Sequence, residues 1–85
     1  MKKIDKSLTS PRDEIDSIDK EIIILLKKRI EIAKKVIEYK KKQNLPLEDL
    51  NREKEIIEKL ATYKIQKELI ERIYTQIFNY SKCQK

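Results

Sequence analysis

A few polar side chains stand where an apolar one is expected. Arg29 interrupts a series of apolar residues, Ile15, Ile18, Ile22, Leu25, Ile32, Val36 and Tyr39, spaced alternately by three and four. Lys40 follows Arg29 by eleven residues. That is close to three helical turns, so both long cationic side chains point the same way about 16 Å apart. Glu53 precedes Ile57 and Leu60 at helical spacing and falls on their apolar face. The alternative is a carboxylate placed there only because a helix start favours anions. Ser81 stands four residues after Ile77, with Gln84 and Lys85 one turn further. Fraying explains a face that ends polar, and so does a polar pocket at that end. Together these groups form a cationic site with one inward carboxylate inside a helical bundle. It suits a small, multiply anionic organic ligand that also carries a hydroxyl. A buried charge cluster with no ligand would be costly, which favours a binding site over a structural network.

Other chemistries are excluded. The chain has no His, so a Ser-His or Cys-His nucleophile is impossible. Cys83 is the only cysteine, which rules out a disulfide framework and a cysteine metal cluster. No metal and no cofactor is expected. The cations are 17 Lys and four Arg (Arg12, Arg29, Arg52 and Arg72) in a chain of net charge +6. Against so strong a Lys bias, an Arg marks a place that calls for a planar, bidentate donor. The net charge itself fits a solvated Lys-rich surface, an anionic ligand or nucleic acid.

The elements that carry these groups are helical. Pro11 to Gln43 holds no Gly and no further Pro and reads as one helix of about 50 Å. Ser10 is the expected N-cap, Pro11 the first helical residue, and Asp13 and Glu14 the anions that the helix dipole favours. Residues 1–9 read as a polar, disordered or frayed lead-in, or as an added turn. Asn44 is suited to a left-handed cap, and Pro46 cannot continue the helix. Asp49 caps a second helix, roughly Leu50 to Thr62, whose apolar face is Ile56, Ile57 and Leu60. A third helix runs from about Gln66 to the end, with Leu69, Ile70, Ile73, Tyr74, Ile77 and Phe78 facing in. The junction around Tyr63 to Gln66 has neither Gly nor Pro to fix its boundary. The expected fold is all-α: one long, one short and one medium helix in a single domain.

Size demands company. The chain has 85 residues, 42% of them charged and 39% hydrophobic. A compact chain of that length spans roughly 30 Å and cannot cover so long a helix. A second copy must bury the protruding face, most simply in an isologous dimer. Arg12 and Lys40 lie 28 residues apart, roughly 42 Å along one helix, and cannot share a small ligand within one chain. Antiparallel pairing would bring Arg12 of a partner toward the far half of the helix. The longest aliphatic run, Ile22 to Leu26, is too short to span a membrane, and no apolar signal core follows Met1-Lys2-Lys3. A cytoplasmic place is expected.

The ordered stretches Arg12-Asp-Glu-Ile-Asp-Ser-Ile-Asp19, Leu25-Leu-Lys-Lys-Arg29, Glu38-Tyr-Lys40, Pro46-Leu-Glu-Asp49-Leu-Asn-Arg52-Glu53 and Ser81 resemble the all-helical (AroQ-type) chorismate mutases. Each is short and helix-like, but five in order at family spacing cover nearly the whole chain from Leu8. The resemblance implies an intertwined homodimer with two equivalent sites. It also implies the Claisen rearrangement of chorismate to prephenate in aromatic amino-acid synthesis. By that likeness Arg29 and the partner's Arg12 pair with the substrate carboxylates, and Lys40 hydrogen-bonds the ether oxygen and one carboxylate. Glu53 accepts from the substrate hydroxyl with the backbone near Asp49 assisting, Arg52 orders the site, and Ser81 contacts a carboxylate. The family usually places Gln, or sometimes Glu, four residues after the Ser, donating to the ether oxygen. Here that position is Lys85, with Gln84 one place early, so either residue could take that part, or neither. The nearest rival activity is that of an isochorismate pyruvate-lyase, which resembles this fold and shares the cationic pocket. A non-enzymatic basic helical oligomer is a rival of another class. A nucleic-acid binder should cluster its basic residues on one exposed face with aromatics between them, whereas Lys here is spread along all three helices.

Overall fold

The computed structural model describes residues 6–82. Three α-helices and one short 3-10 turn follow one another: α1 Lys6–Lys42, α2 Leu50–Leu60, the 3-10 turn Ala61–Tyr63, and α3 Lys67–Lys82. The all-α expectation holds, with no strand among the described residues. Contacts divide the chain inside α1 into two units, Met1–Glu31 and Ile32–Lys85.

The first unit is the leading part of α1. The helix is already formed at Lys6, so the added turn allowed before Pro11 is present and Pro11 is not the first helical residue. Ser10 is therefore not an N-cap. Pro11 falls in the second turn, where it lacks the N–H that would bond the Ser7 carbonyl. Asp13 and Glu14 lie beyond the first turn and its dipole effect. Of the expected lead-in, Lys6–Thr9 are helical; residues 1–5 lie outside the described residues. The large apolar residues Ile15, Ile18, Ile22 and Leu25 are all more than half exposed.

The second unit contains the core. The end of α1 is closed by a Schellman motif. Leu45 N–H donates to the Lys40 carbonyl at 2.8 Å and Asn44 N–H to the Lys41 carbonyl at 3.2 Å. Asn44 holds φ of 57°, a conformation its short polar side chain tolerates. Asp49 is the N-cap of α2, its Oδ1 accepting from the Arg52 N–H at 3.0 Å. Both caps match the sequence reading. The second helix is shorter than expected. It ends at Leu60, Thr62 Oγ1 donates to the Lys59 carbonyl at 2.7 Å, and the chain turns through Lys64 at φ of 63°. That left-handed Lys is the device that replaces Gly at this junction.

Helices α2 and α3 pack through Ile57, Ile70 and Phe78, which are buried, with Ile56, Leu60, Ala61 and Tyr74 packed around them. The Tyr74 and Phe78 rings lie one turn apart with centroids 5.7 Å from each other at 59°, a tilted pair of the kind that adds to area burial. Leu69 and Ile73, expected inside, are each 49% exposed. They stand beside the stripe Ile70, Tyr74, Phe78, whose steps of four aim it at α2. Ile37 of α1 is buried as well.

Candidate active site

Glu53 is held in the first turn of α2 by the Asp49 cap, its own N–H donating to the Asp49 carbonyl at 3.1 Å. Its side chain is 21% exposed and points at the end of α3. There Lys82 Nζ lies 2.9 Å from Glu53 Oε2 and 2.7 Å from Glu48 Oε2. One ammonium thus joins three segments: the α1–α2 connection, the start of α2 and the last turn of α3. The hydrogen bond to Glu48 and then that to Glu53 raise the Lys82 pKa above its ordinary value. Partial burial opposes this, and Coulomb attraction to both carboxylates adds to it.

Lys40 is half-buried near the end of α1, and its Nζ donates to the Leu47 carbonyl at 3.4 Å. Leu47 precedes Glu48, so Lys40 and Lys82 hold adjacent residues of the same connection. Ser81 is half-buried, and its Oγ donates to the Ile77 carbonyl at 2.9 Å. Lys40, Glu53 and Ser81, picked from the sequence for breaking apolar faces, are thus all partly buried within the second unit. Arg12 (exposed) and Arg29 (half-buried) belong to the first. Gln84 and Lys85 lie outside the described residues.

Asp49 and Arg52 sit at the surface. Arg52 Nη1 pairs with Glu55 Oε1 at 2.7 Å, with both side chains more than half exposed. Arg72 makes a longer surface pair with Glu68 at 3.9 Å. Such exposed pairs one turn apart contribute only a few tenths of a kcal/mol. The rarity of Arg therefore does not single out a site at Arg72.

The sequence reading missed Lys82, although its signal was present. Ile70, Tyr74, Phe78 and Lys82 follow one another in steps of four. Lys82 thus breaks an apolar face in the manner of Arg29. A separate open groove of about 480 Å³ runs between α2 and α3, floored by Leu50, Ile57 and Phe78 and rimmed by charges. Glu53 reaches its wall, but Lys40 and Ser81 do not line it.

A family model described as chorismate mutase type II matches residues 11–85, almost the whole chain. The chain belongs to the type II chorismate mutase family. Among curated proteins, the bifunctional chorismate mutase/prephenate dehydratase of Aquifex aeolicus (strain VF5) is 41% identical over 71 residues. That match covers 84% of this chain and 19% of that protein. The protein of the same description from Buchnera aphidicola subsp. Schizaphis graminum is 39% identical over 71 residues, covering 84% and 18%. Its counterpart in Buchnera aphidicola subsp. Acyrthosiphon pisum is 34% identical over 79 residues, covering 88% and 20%. The chain thus spans about a fifth of the length of the curated relatives it matches. No solved structure matches it significantly. The closure of α1 lies one turn past Lys40, and the Asp49 cap and the Lys82 bridge both engage Glu53.

Proposed function

We propose that this chain is a chorismate mutase, rearranging chorismate to prephenate for aromatic amino-acid synthesis. The match of the type II family model to residues 11–85 carries the reading. In the reaction the ether C–O bond breaks as a C–C bond forms, and no atom, proton or electron leaves the molecule. No nucleophile is called for, which suits a chain without His. What the protein must do is hold a flexible dianion in a compact chair and stabilise the charge that builds on the ether oxygen. Both tasks fall to pre-organised cations.

The roles follow the family pattern. Arg29 and the Arg12 of a second copy take the two carboxylates. Lys40 donates to the ether oxygen and one carboxylate. Glu53 accepts from the ring hydroxyl, helped by the backbone near Asp49. Arg52 orders the start of α2, Ser81 contacts a carboxylate, and Lys85 or Gln84 adds a second donor at the ether oxygen. The partial burial of Lys40 and Glu53 supports their assignments, since a charge shielded from water acts more strongly on a ligand.

The proposal includes a homodimer. Ile15, Ile18, Ile22, Leu25, Ile32, Val36 and Tyr39 are each 46 to 62% exposed. A row of apolar residues of this length on one helix calls for cover, and a second copy would supply Arg12 along with it. No helix among the described residues is long and apolar enough to cross a membrane. A cytoplasmic place belongs to the same proposal and is tested by fractionating cells that express a tagged chain. The activity is tested by following chorismate consumption and prephenate formation with the purified chain, its oligomeric state measured by sedimentation. Isochorismate is assayed in parallel. Prephenate from a dimer is the expected result; pyruvate from isochorismate, or no turnover of either substrate, would sink it.

A further inference from the structure

We propose that Lys82 is a positioning residue for Glu53, acting through the carboxylate on which the proposed function relies. Its ammonium binds Oε2 of Glu53 at 2.9 Å and Oε2 of Glu48 at 2.7 Å. A carboxylate offers about four lone-pair sites on its two oxygens, so engagement of Oε2 leaves Oε1 with the capacity to accept a ligand hydroxyl. The pair fixes which oxygen does which task. The two members of the Lys82–Glu53 pair are 20% and 21% exposed, against 57% and 64% for Arg52–Glu55. Water and salt therefore screen the inner pair less, and it holds its geometry more firmly. Glu48, 57% exposed, is the outer arm. It ties the ammonium to the connection whose preceding residue, Leu47, is bound by Lys40.

Charge gives the device a second purpose. An inward carboxylate repels a dianionic ligand, yet Glu53 is wanted for the hydroxyl. A cation fixed on one of its oxygens offsets that repulsion without occupying the other. Lysine suits this task because it is a compact point charge with three donors, two of which already serve two carboxylates.

The test compares kcat and KM for chorismate in the full chain and in Lys82→Met, Lys82→Gln and Lys82→Arg, each also built on Glu53→Gln. Helical content and melting are measured alongside. Lys82→Met is expected to lower kcat/KM by about 10- to 100-fold, the scale of a small misplacement of an acting group. Lys82→Arg should recover most of that loss. On Glu53→Gln the same Lys82→Met change should have almost no further effect, because the residue through which it acts is gone. Lys82→Gln keeps donors without the charge and serves if the Met variant does not fold. Unchanged kinetics in the folded Lys82 variants, or equal losses with and without Glu53, would overturn the positioning role. A parent chain that fails to turn chorismate over would instead sink the proposed function, and this role with it.

Discussion

Lys40 is the residue on which the chemistry should depend most. It stands half-buried at the end of α1 with its ammonium on the Leu47 carbonyl, held before any ligand arrives. Removing one donor to developing charge typically costs about 3–4 kcal/mol of transition-state stabilisation. Lys40→Ala should therefore lower kcat by about two to three orders of magnitude in a steady-state assay. A variant with near-parental turnover would refute its role. Lys82 gives a second prediction, through pH. Its pKa is raised by Glu48 and Glu53 in the folded chain, so the bridge contributes fully below the ordinary lysine value of 10.5. The contribution is lost as pH rises through the raised value. Stability to urea should thus fall above about pH 10.5 more steeply in the parent than in Lys82→Met, with the two curves parallel near neutrality. Parallel curves throughout would mean that the bridge adds nothing in solution.

Helix ends set where the parts of the proposed site stand. The Schellman closure at Asn44 ends α1 one turn past Lys40, and the Asp49 cap starts α2 one turn before Glu53. Both were legible because each rests on a local rule: a residue tolerant of positive φ, and a short side-chain acceptor. The start of α1 was misread for a related reason. Ser10-Pro11 satisfies the local rule for a helix start, yet the helix runs through it from Lys6. Local rules rank possibilities without deciding among them. The second junction had no readable signal, since Lys64 adopts the left-handed conformation without being Gly or Asn. That conformation costs a side-chain-bearing residue roughly 1–2 kcal/mol. Lys64→Gly should accordingly raise stability by up to about 1 kcal/mol in a denaturant titration. Asn44→Val should lower it by roughly 1–2 kcal/mol. The opposite signs make the pair a strict check on both turns.

At the scale of the molecule, the row of exposed apolar residues on α1 is the outstanding feature. Within that row Ile32 is 60% exposed. On the proposed dimer, Ile32→Glu should shift sedimentation from dimer toward monomer and lower turnover with it, because the proposed site would lose the partner's Arg12. A monomer that turned chorismate over at the parental rate would show that each chain is complete in itself. By itself the sequence determined the helix number, two of the caps, a face of α3 broader than the stripe that packs on α2, and most of the polar residues that break apolar faces. Each of these follows from periodicity or from the chemistry of a few neighbouring residues, and both are carried by local sequence. Only the tertiary structure decided which of those polar residues meet. Lys82 and Glu53 are 29 positions apart, and no spacing rule links residues on different helices. Their bridge exists because Ile57, Ile70 and Phe78 bury one another and so fix how far the end of α3 reaches along α2. Packing also separated Arg52 and Arg72, which remain in solvent with neighbours one turn away, from the half-buried groups around Lys40 and Glu53.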